Sequence, residues 1–350
     1  MKKILFTGGG SAGHVIPNIA LIEELLAEGK TELCYMGTDG IERDIVSAHK
    51  IPYYTISCPK LIRGKNINAF KNNVKIPYAF HKAVSEAKKG IELFKPDLIF
   101  SKGGYVGLPV VFAAKKLKIP SLAHESDFSM GLANRLSASK CKALLTSFPE
   151  TANTVKNGKY SGAPIRRAIL SAKREEAREQ LGIDKNEQVL LVFGGGSGSK
   201  AINSALRENL KILTKKYTIL HVCGKANTTD SNFTKYRQYE FITDMGSFYA
   251  AADLVVARSG AGTIFELLAL KKPSLLIPLS GATRGDQKQN AEYFFNKGLC
   301  HVLPQTELSN LAKEIDNAFL DGDMKSRLLD SNYTQGNARI LQDIRVLLHE

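Results

Sequence analysis

The chain has 350 residues, 43% of them apolar and 23% charged, with a formal net charge of +14. That length exceeds the usual size of one hydrophobic core, so two domains are expected, and the composition is that of a soluble globular protein. No run of eighteen apolar residues is present, which excludes a membrane-spanning helix. Met1-Lys2-Lys3-Ile4-Leu5-Phe6 begins like a signal peptide, but its apolar run stops at Gly8-Gly9-Gly10, too soon for the apolar region of a secretory signal. The five cysteines are scattered without a C-x-x-C pair, which fits reduced thiols in the cytosol and argues against a structural zinc. The positive charge favours a polyanionic partner. No RNA-binding signature and no aromatic-interleaved basic cluster is evident, so a membrane face or a phosphorylated substrate fits better than nucleic acid.

The first half alternates apolar runs with helical patterns. Strands are expected at 3–6, 32–36, 53–57, 97–100, 121–123 and 143–146, and helices at 18–28, 40–50, 73–94 and 106–118. This order builds βαβ units and a parallel sheet, whose function collects in loops at the carboxyl ends of its strands. The first such loop, Gly8-Gly9-Gly10-Ser11-Ala12-Gly13-His14, runs from strand to helix and gathers unpaired N–H groups at the positive end of a helix dipole, an anion site. Gly8, Gly10 and Gly13 satisfy G-x-G-x-x-G, a weak signal by itself. His14 reads either as a catalytic base or as a packing residue. Two further loops carry chemistry, Ser101-Lys102-Gly103-Gly104-Tyr105 and His124-Glu125-Ser126-Asp127.

Between Cys58 and Gly90, Lys60, Arg63, Lys65, Lys71, Lys75, Lys82, Lys88 and Lys89 stand against Glu86, interleaved with Leu61, Ile62, Ile67, Phe70, Val74, Ile76, Tyr78 and Phe80. This basic, apolar segment suits docking on an anionic bilayer, or forms an ordinary solvated helix face. Gly162 and Pro164 punctuate the best domain boundary. A first domain at 1–161, a second at 162–328 and a terminal helical segment, 329–350, returning to the first domain are expected.

The second half restarts the pattern with a strand at 188–193 and Gly194-Gly195-Gly196-Ser197-Gly198-Ser199. Further strands are expected at 218–222, 240–242, 254–257 and 274–277. Arg258-Ser259-Gly260-Ala261-Gly262-Thr263-Ile264-Phe265-Glu266 is another small-residue turn feeding a helix, with Glu266 placed to accept from a ribose diol or simply to favour the dipole. The polar run 278–291 suits a sugar, or is a helix start capped by Asp286. Two phosphate turns, one in each half, imply two similar α/β domains facing each other across a cleft.

A dinucleotide enzyme needs an acid closing the second strand, but that strand ends in Gly37-Thr38 and Asp39 is a poor substitute. A dehydrogenase would also leave the second glycine loop and the 259–266 turn unused, whereas a transferase with two diphosphate substrates uses all three.

Taken together, Thr7 to His14, Lys102-Gly103-Gly104-Tyr105, His124 to Asp127, Gly162-Ala163-Pro164-Ile165-Arg166, Gly195-Gly196-Ser197, Arg258-Ser259-Gly260-Ala261 and Asp286-Gln287 with Asn290-Ala291 resemble the MurG family of bacterial N-acetylglucosaminyltransferases. The resemblance runs in family order over almost the whole chain. It implies the GT-B architecture, two Rossmann-like domains, and inverting transfer of GlcNAc from UDP-GlcNAc to undecaprenyl-diphosphate-MurNAc-pentapeptide (lipid I), giving lipid II. No cofactor or metal is implied; the inner leaflet of the cell membrane and cell-wall synthesis proteins are the implied partners.

Carried over by residue, the resemblance places Arg166, Ser197, Ile242, Ala261, Gly262, Thr263, Ile264, Phe265, Glu266 and Gln287 on the donor. Ser11, Ala12, Gly13 and Asp127 would face its sugar from the first domain. Gly9, Gly10, Gly103 and Gly104 are assigned to the acceptor diphosphate. His14 is the leading base, with His124 and Glu125 as second choices or as a pair that merely orders the site. Arg258 and Arg284 are expected to steady the departing diphosphate. Asp127 and Ser126 depart from the commoner Asn and Gln of that pattern. Another GT-B nucleotide-sugar transferase, a UDP-GlcNAc 2-epimerase and a lipid-surface scaffold are the alternatives.

Overall fold

A computed structural model of the chain describes residues 1–60, 73–281 and 285–349. They form two compact units, Met1–Arg166 with Gln335–Glu350, and Arg167–Thr334. The expected boundary at 161/162 thus falls at 166/167. The physical reason lies at Ile165, whose N–H donates to Asn337 Oδ1 at 2.8 Å and whose carbonyl accepts from Asn337 Nδ2 at 3.0 Å. Asn337 is fully buried and opens the helix Asn337–Leu348, whose Ile340, Leu341, Ile344 and Leu348 join the core around Ile4, Phe6, Leu98 and Phe100.

The first unit is built on β1 (Lys2–Thr7), β2 (Thr31–Gly37), β3 (Tyr53–Thr55), β4 (Leu98–Ser101), β5 (Ser121–Glu125), β6 (Ala143–Thr146) and β7 (Gly158–Tyr160). The sheet is parallel in the order β3-β2-β1-β4-β5-β6-β7. Its inner strands are buried on both faces, as the unbroken apolar runs require. One face packs Ile4, Phe6 and Tyr35 against Val15, Ile19 and Ile22 of the helix Ala12–Glu28. The other packs Leu5, Cys34 and Ile99 against Val84, Ala87 and Ile91 of the helix Ile76–Phe94, and against Val110 and Ala113 of Gly104–Lys116. β7 was not expected as a strand; its three residues pair with β6 as the sheet edge.

The second unit repeats the plan with β8 (Gln188–Phe193), β9 (Tyr217–Val222), β10 (Tyr236–Tyr239), β11 (Leu254–Ala257), β12 (Ser274–Leu276) and β13 (His301–Val302), ordered β10-β9-β8-β11-β12-β13 and parallel throughout. The strand expected at 240–242 lies earlier. Tyr239 makes the last ladder bond, accepting from the Cys223 N–H at 2.9 Å. Glu240 then turns its carboxylate to the Ala226 N–H, and Asp244 caps the next helix. In both sheets the strand order reverses beside the first strand, between β1 and β4 and between β8 and β11. Such switch points open a crevice outside the carboxyl ends of the strands.

Candidate active site

In the first unit the loops after β1, β4 and β5 emerge from neighbouring strands at the switch point. Gly10 has φ +83° and Gly104 has φ +72°, left-handed values that favour glycine. A Cβ at Gly10 would stand 2.3 Å from the Tyr105 ring, and one at Gly104 would stand 2.6 Å from the Gly9 carbonyl oxygen. Backbone therefore presses on backbone where the two glycine loops meet. His14 lies on the first turn of its helix, with Nδ1 2.9 Å from Ser11 Oγ and its ring beside Gly104. Gly103 abuts Asn134, whose Nδ2 donates to the His124 carbonyl and to Glu125 Oε2, both at 3.0 Å. The structure thus brings together Gly9, Gly10, Ser11, His14, Gly103, Gly104 and Glu125.

Glu42 was not singled out from the sequence and lies at the centre of the first loop. Its solvent-inaccessible carboxylate sits beneath Gly9 and accepts the N–H of Gly10 at 3.1 Å, the N–H of Thr38 at 3.0 Å and the Thr38 hydroxyl. Burial alone would raise its pKa; these donors outweigh burial and hold it below the usual carboxylate value. The amide of Gly10, assigned to a phosphate from sequence, is therefore committed to Glu42. The acid that a dinucleotide enzyme places at the end of β2 is replaced by one that turns back to brace the glycine loop.

His124 is fully buried, with Nε2 3.0 Å from the Gly162 carbonyl. Burial and the neighbouring Lys102 cation drive its pKa well below the ordinary value, so it stays neutral. Glu125 is almost as deeply buried and accepts the N–H groups of Asp127 at 3.1 Å and Gly131 at 2.8 Å besides Asn134. Of these two second-choice catalytic groups, Glu125 holds the loop after β5 and His124 holds Gly162, just beyond β7. Ser126 and Asp127 are half-exposed on that loop. Arg166 is half-exposed too, although its Nε is buried with no hydrogen-bond partner.

In the second unit the loops after β8, β11 and β12 are adjacent. Ser197 is exposed on the first, and Ser199 caps the helix Lys200–Glu208 through the Ile202 N–H at 3.4 Å. The helix Ala261–Ala269 starts at Gly260 with no side chain capping its first amides. A Cβ at Gly196, Gly260 or Gly262 would meet nothing within 4 Å. Such a helix start, with unpaired amides and space above them, is suited in principle to an anion. The side chains of Ala261, Ile264 and Phe265 are buried in the core, so these positions offer only backbone, while Thr263 and Glu266 are half-buried. Glu266 accepts the Tyr249 hydroxyl at 3.0 Å. Gln287 accepts the Leu279 N–H at 3.0 Å through Oε1, and its carbonyl accepts from Ser259 at 2.8 Å. Asp286 is the first helical residue, with left-handed Gly285 at the cap position expected for Asp286. Ile242 lies half-buried beyond β10.

Arg258 corrects an expectation. Its guanidinium donates to the carbonyls of Ile277 and Pro278, to Ser199 Oγ at 2.8 Å and to Gln305 Oε1 at 2.7 Å. Buried and fully engaged, it braces the ends of β11 and β12 rather than serving as a loose cation. Arg284 lies outside the described residues.

Comparison with known proteins bears on these paired switch points. Residues 4–146 match the glycosyltransferase family 28 N-terminal domain, and residues 189–343 match the corresponding C-terminal domain. Over 315 residues the chain is 45% identical to the UDP-N-acetylglucosamine--N-acetylmuramyl-(pentapeptide) pyrophosphoryl-undecaprenol N-acetylglucosamine transferase of Clostridium perfringens, spanning 88% of this chain and 87% of that relative. The chain belongs to the MurG family. A Clostridium botulinum relative of the same name is 43% identical over 343 residues, 94% of this chain and 96% of the relative. The crystal structure of Acinetobacter baumannii MurG superposes with a TM-score of 0.76 at 25% identity, covering 98% of this chain and 99% of that one. The fold is therefore GT-B, and the chain is a glycosyltransferase. Among the described residues no helix is long and apolar enough to cross a membrane.

Proposed function

We propose that this protein moves GlcNAc from UDP-GlcNAc to the MurNAc 4-hydroxyl of undecaprenyl-diphosphate-MurNAc-pentapeptide, inverting the anomeric centre. The observation that carries the reading is the 45% identity, over 88% of the chain, to a relative named for this reaction. The open helix start at Gly260 and the loop bearing Ser197 are suited to the donor diphosphate. Glu266 holds the ribose, the backbone at Ile242 the uracil, and Gln287 the sugar, with Arg166, Ser11, Ala12, Gly13 and Asp127 as further donor contacts. The acceptor diphosphate lies against Gly103, Gly104 and the helix start at Ser11 to Gly13, since the Gly10 amide is committed to Glu42.

The acceptor oxygen attacks the anomeric carbon opposite the UDP. As that bond forms, the bond to the UDP oxygen breaks, and the hydroxyl proton passes to the base. His14 is that base. Its Nδ1 lies 2.9 Å from Ser11 Oγ, and in the tautomer that carries the proton on Nδ1 the basic nitrogen is Nε2. Full burial of His124 and the three donors bound to Glu125 favour His14 over either of them. Charge developing on the departing UDP falls on the amides and dipole of the helix Ala261–Ala269.

Incubation with UDP-GlcNAc and a lipid I analogue should release UDP only when acceptor is present; release independent of acceptor sinks the assignment. His14→Ala should lower kcat by about 100-fold or more while leaving UDP affinity within a few-fold. Peripheral docking on the anionic inner leaflet, close to the cell-wall synthesis proteins, completes the proposal. Val74 and Tyr78 are 62% and 80% exposed beside Lys75 and Lys82, while Leu61, Ile62, Arg63, Lys65, Ile67, Phe70 and Lys71 of the expected segment lie outside the described residues. Sedimentation with anionic vesicles but not with neutral ones supports docking; equal recovery on both refutes it.

A further inference from the structure

The loop after β8, Gly194 to Ser199, rests on main chain. A Cβ at Gly198 would run into the Cys223 carbonyl oxygen, and one at Gly224 would meet the Ser197 carbonyl oxygen at 2.6 Å. The Cys223 carbonyl therefore supports the loop, and it accepts from Asn203 Nδ2 at 2.8 Å. Asn203 is buried on the helix Lys200–Glu208, and its Oδ1 lies 3.0 Å from Nε2 of the fully buried His221 on β9. The Tyr236 hydroxyl of β10 stands 2.7 Å from His221 Nδ1. The chemistry of these groups leaves one assignment of protons. A carbonyl only accepts, so the Asn203 amide turns its NH2 to Cys223 and its oxygen to His221. Nε2 must then carry the hydrogen, and Nδ1 accepts from the Tyr236 hydroxyl. Burial and the Arg207 cation push the His221 pKa down to about 4, so the ring is neutral at neutral pH, as this arrangement requires.

The first unit braces its glycine loop in a similar way. Phe6 pairs with Tyr35 and Val192 pairs with His221, in each case two positions before the first glycine of the loop. Tyr35 donates to the Gly8 carbonyl at 2.6 Å and accepts from Asn18 Nδ2 at 3.1 Å, Asn18 lying on the helix that follows the loop. A buried ring on the second strand of each unit and a buried asparagine on the next helix thus recur behind both loops. We propose that His221 is a positioning residue for the donor: acting through Asn203 and the Cys223 carbonyl, its Nε2–H holds the loop after β8 in the form that takes the nucleotide diphosphate. The proposal rests on the reading that this loop, which bears Ser197, contacts the donor.

The test reads KM for UDP-GlcNAc, kcat and the thermal midpoint in four variants. His221→Gln sets an NH2 where Nε2 lies and keeps the bond to Asn203, whereas His221→Asn sets one near Nδ1 and cannot reach it. His221→Asn should raise KM about ten-fold with kcat within about three-fold, because ground state and transition state lose the same contact. His221→Gln should keep KM within about three-fold of the unaltered protein. Asn203→Leu, close in size and uncharged, cuts the path at its middle and should match His221→Asn; it carries the comparison if His221→Asn does not fold. Tyr236→Phe is the control for folding alone. It strips His221 Nδ1 of its partner but leaves the path to the loop, so the midpoint should fall by about 2–4 °C while KM stays within about two-fold. Partial unfolding lowers the active fraction and so the apparent kcat, but not KM. If the unaltered protein turns over UDP-GlcNAc and KM is equal in the two His221 variants, the inference is overturned. A KM that follows the midpoint, rising as much in Tyr236→Phe as in Asn203→Leu, assigns the network to folding and also overturns it. If the unaltered protein has no such turnover, the functional reading beneath it fails instead.

Discussion

At Gly10 and Gly104 an added methyl group would strike the Tyr105 ring and the Gly9 carbonyl, whereas at Gly196, Gly260 and Gly262 it would meet nothing within 4 Å. The two halves share strand order and glycine-rich turns, but individual glycines within them serve different ends. At Gly10 and Gly104 glycine is needed so that one loop can lie on another, over a buried carboxylate, and at Gly198 so that the loop after β8 can lie on the Cys223 carbonyl, 2.1 Å from an added Cβ. At Gly196, Gly260 and Gly262 the space above the backbone is open. Similar glycine runs therefore hide which positions are packed and which are receptive.

This contrast can be broken by substitution. Gly104→Ala should have the largest effect, a loss of about 2–4 kcal/mol in the stability of the first unit, because it combines a left-handed backbone with a clash against main chain. Urea unfolding reads this directly, and an unchanged midpoint would show that the two loops can part cheaply. Glu42→Gln should cost about 1–3 kcal/mol at neutral pH by weakening three charge-assisted bonds. The sign follows from its lowered pKa: between the folded and unfolded values the unfolded chain binds more protons, so stability rises with pH. The advantage of Glu42 over Gln is present above the unfolded pKa, near 4.5, and should vanish as pH falls through the lower folded value. Parallel stability curves for the two proteins at all pH values would remove Glu42 from this role. Gly262→Ala should be mildest, leaving unfolding unchanged and weakening UDP-GlcNAc binding about ten-fold, roughly 1.4 kcal/mol. If Gly262→Ala destabilised the fold while Gly104→Ala spared it, the comparison would be inverted.

The parts of this architecture that sequence reveals are those encoded locally. Strands such as β1, β8 and β11 carry unbroken apolar runs that stop at Thr7, Gly194 and Arg258, so type and position both show. β7 does not, because Gly158, Lys159 and Tyr160 carry no apolar pattern and become a strand only through pairing with β6. The glycine turns that lead from strands into the helices Ala12–Glu28, Lys200–Glu208 and Ala261–Ala269 could be placed from residue order alone. The braces behind them could not. Glu42 reaches Gly10 across 32 positions, and Arg258 spends its guanidinium on Gln305, 47 positions away. Glu42 drew no notice in the sequence and Arg258 was expected on the diphosphate, until the fold showed what surrounds them. Lys102 was visible as part of a chemically loaded loop, but its burial against Ser126 follows from the pairing of β4 with β5.

The return of the chain to the first unit has a consequence for biosynthesis. Residues 1–166 leave the ribosome first, yet Ile340, Leu341, Ile344 and Leu348 supply part of the core packed around Ile4 and Phe6. Until they emerge, an apolar stripe of that unit faces water, and Ile165 lacks the amide of Asn337 that clips it in place. The intervening Arg167–Thr334 unit has its own core and can close as soon as it is made. The half of the protein that is synthesised first is therefore completed after the second unit, and it waits for a helix encoded beyond that unit.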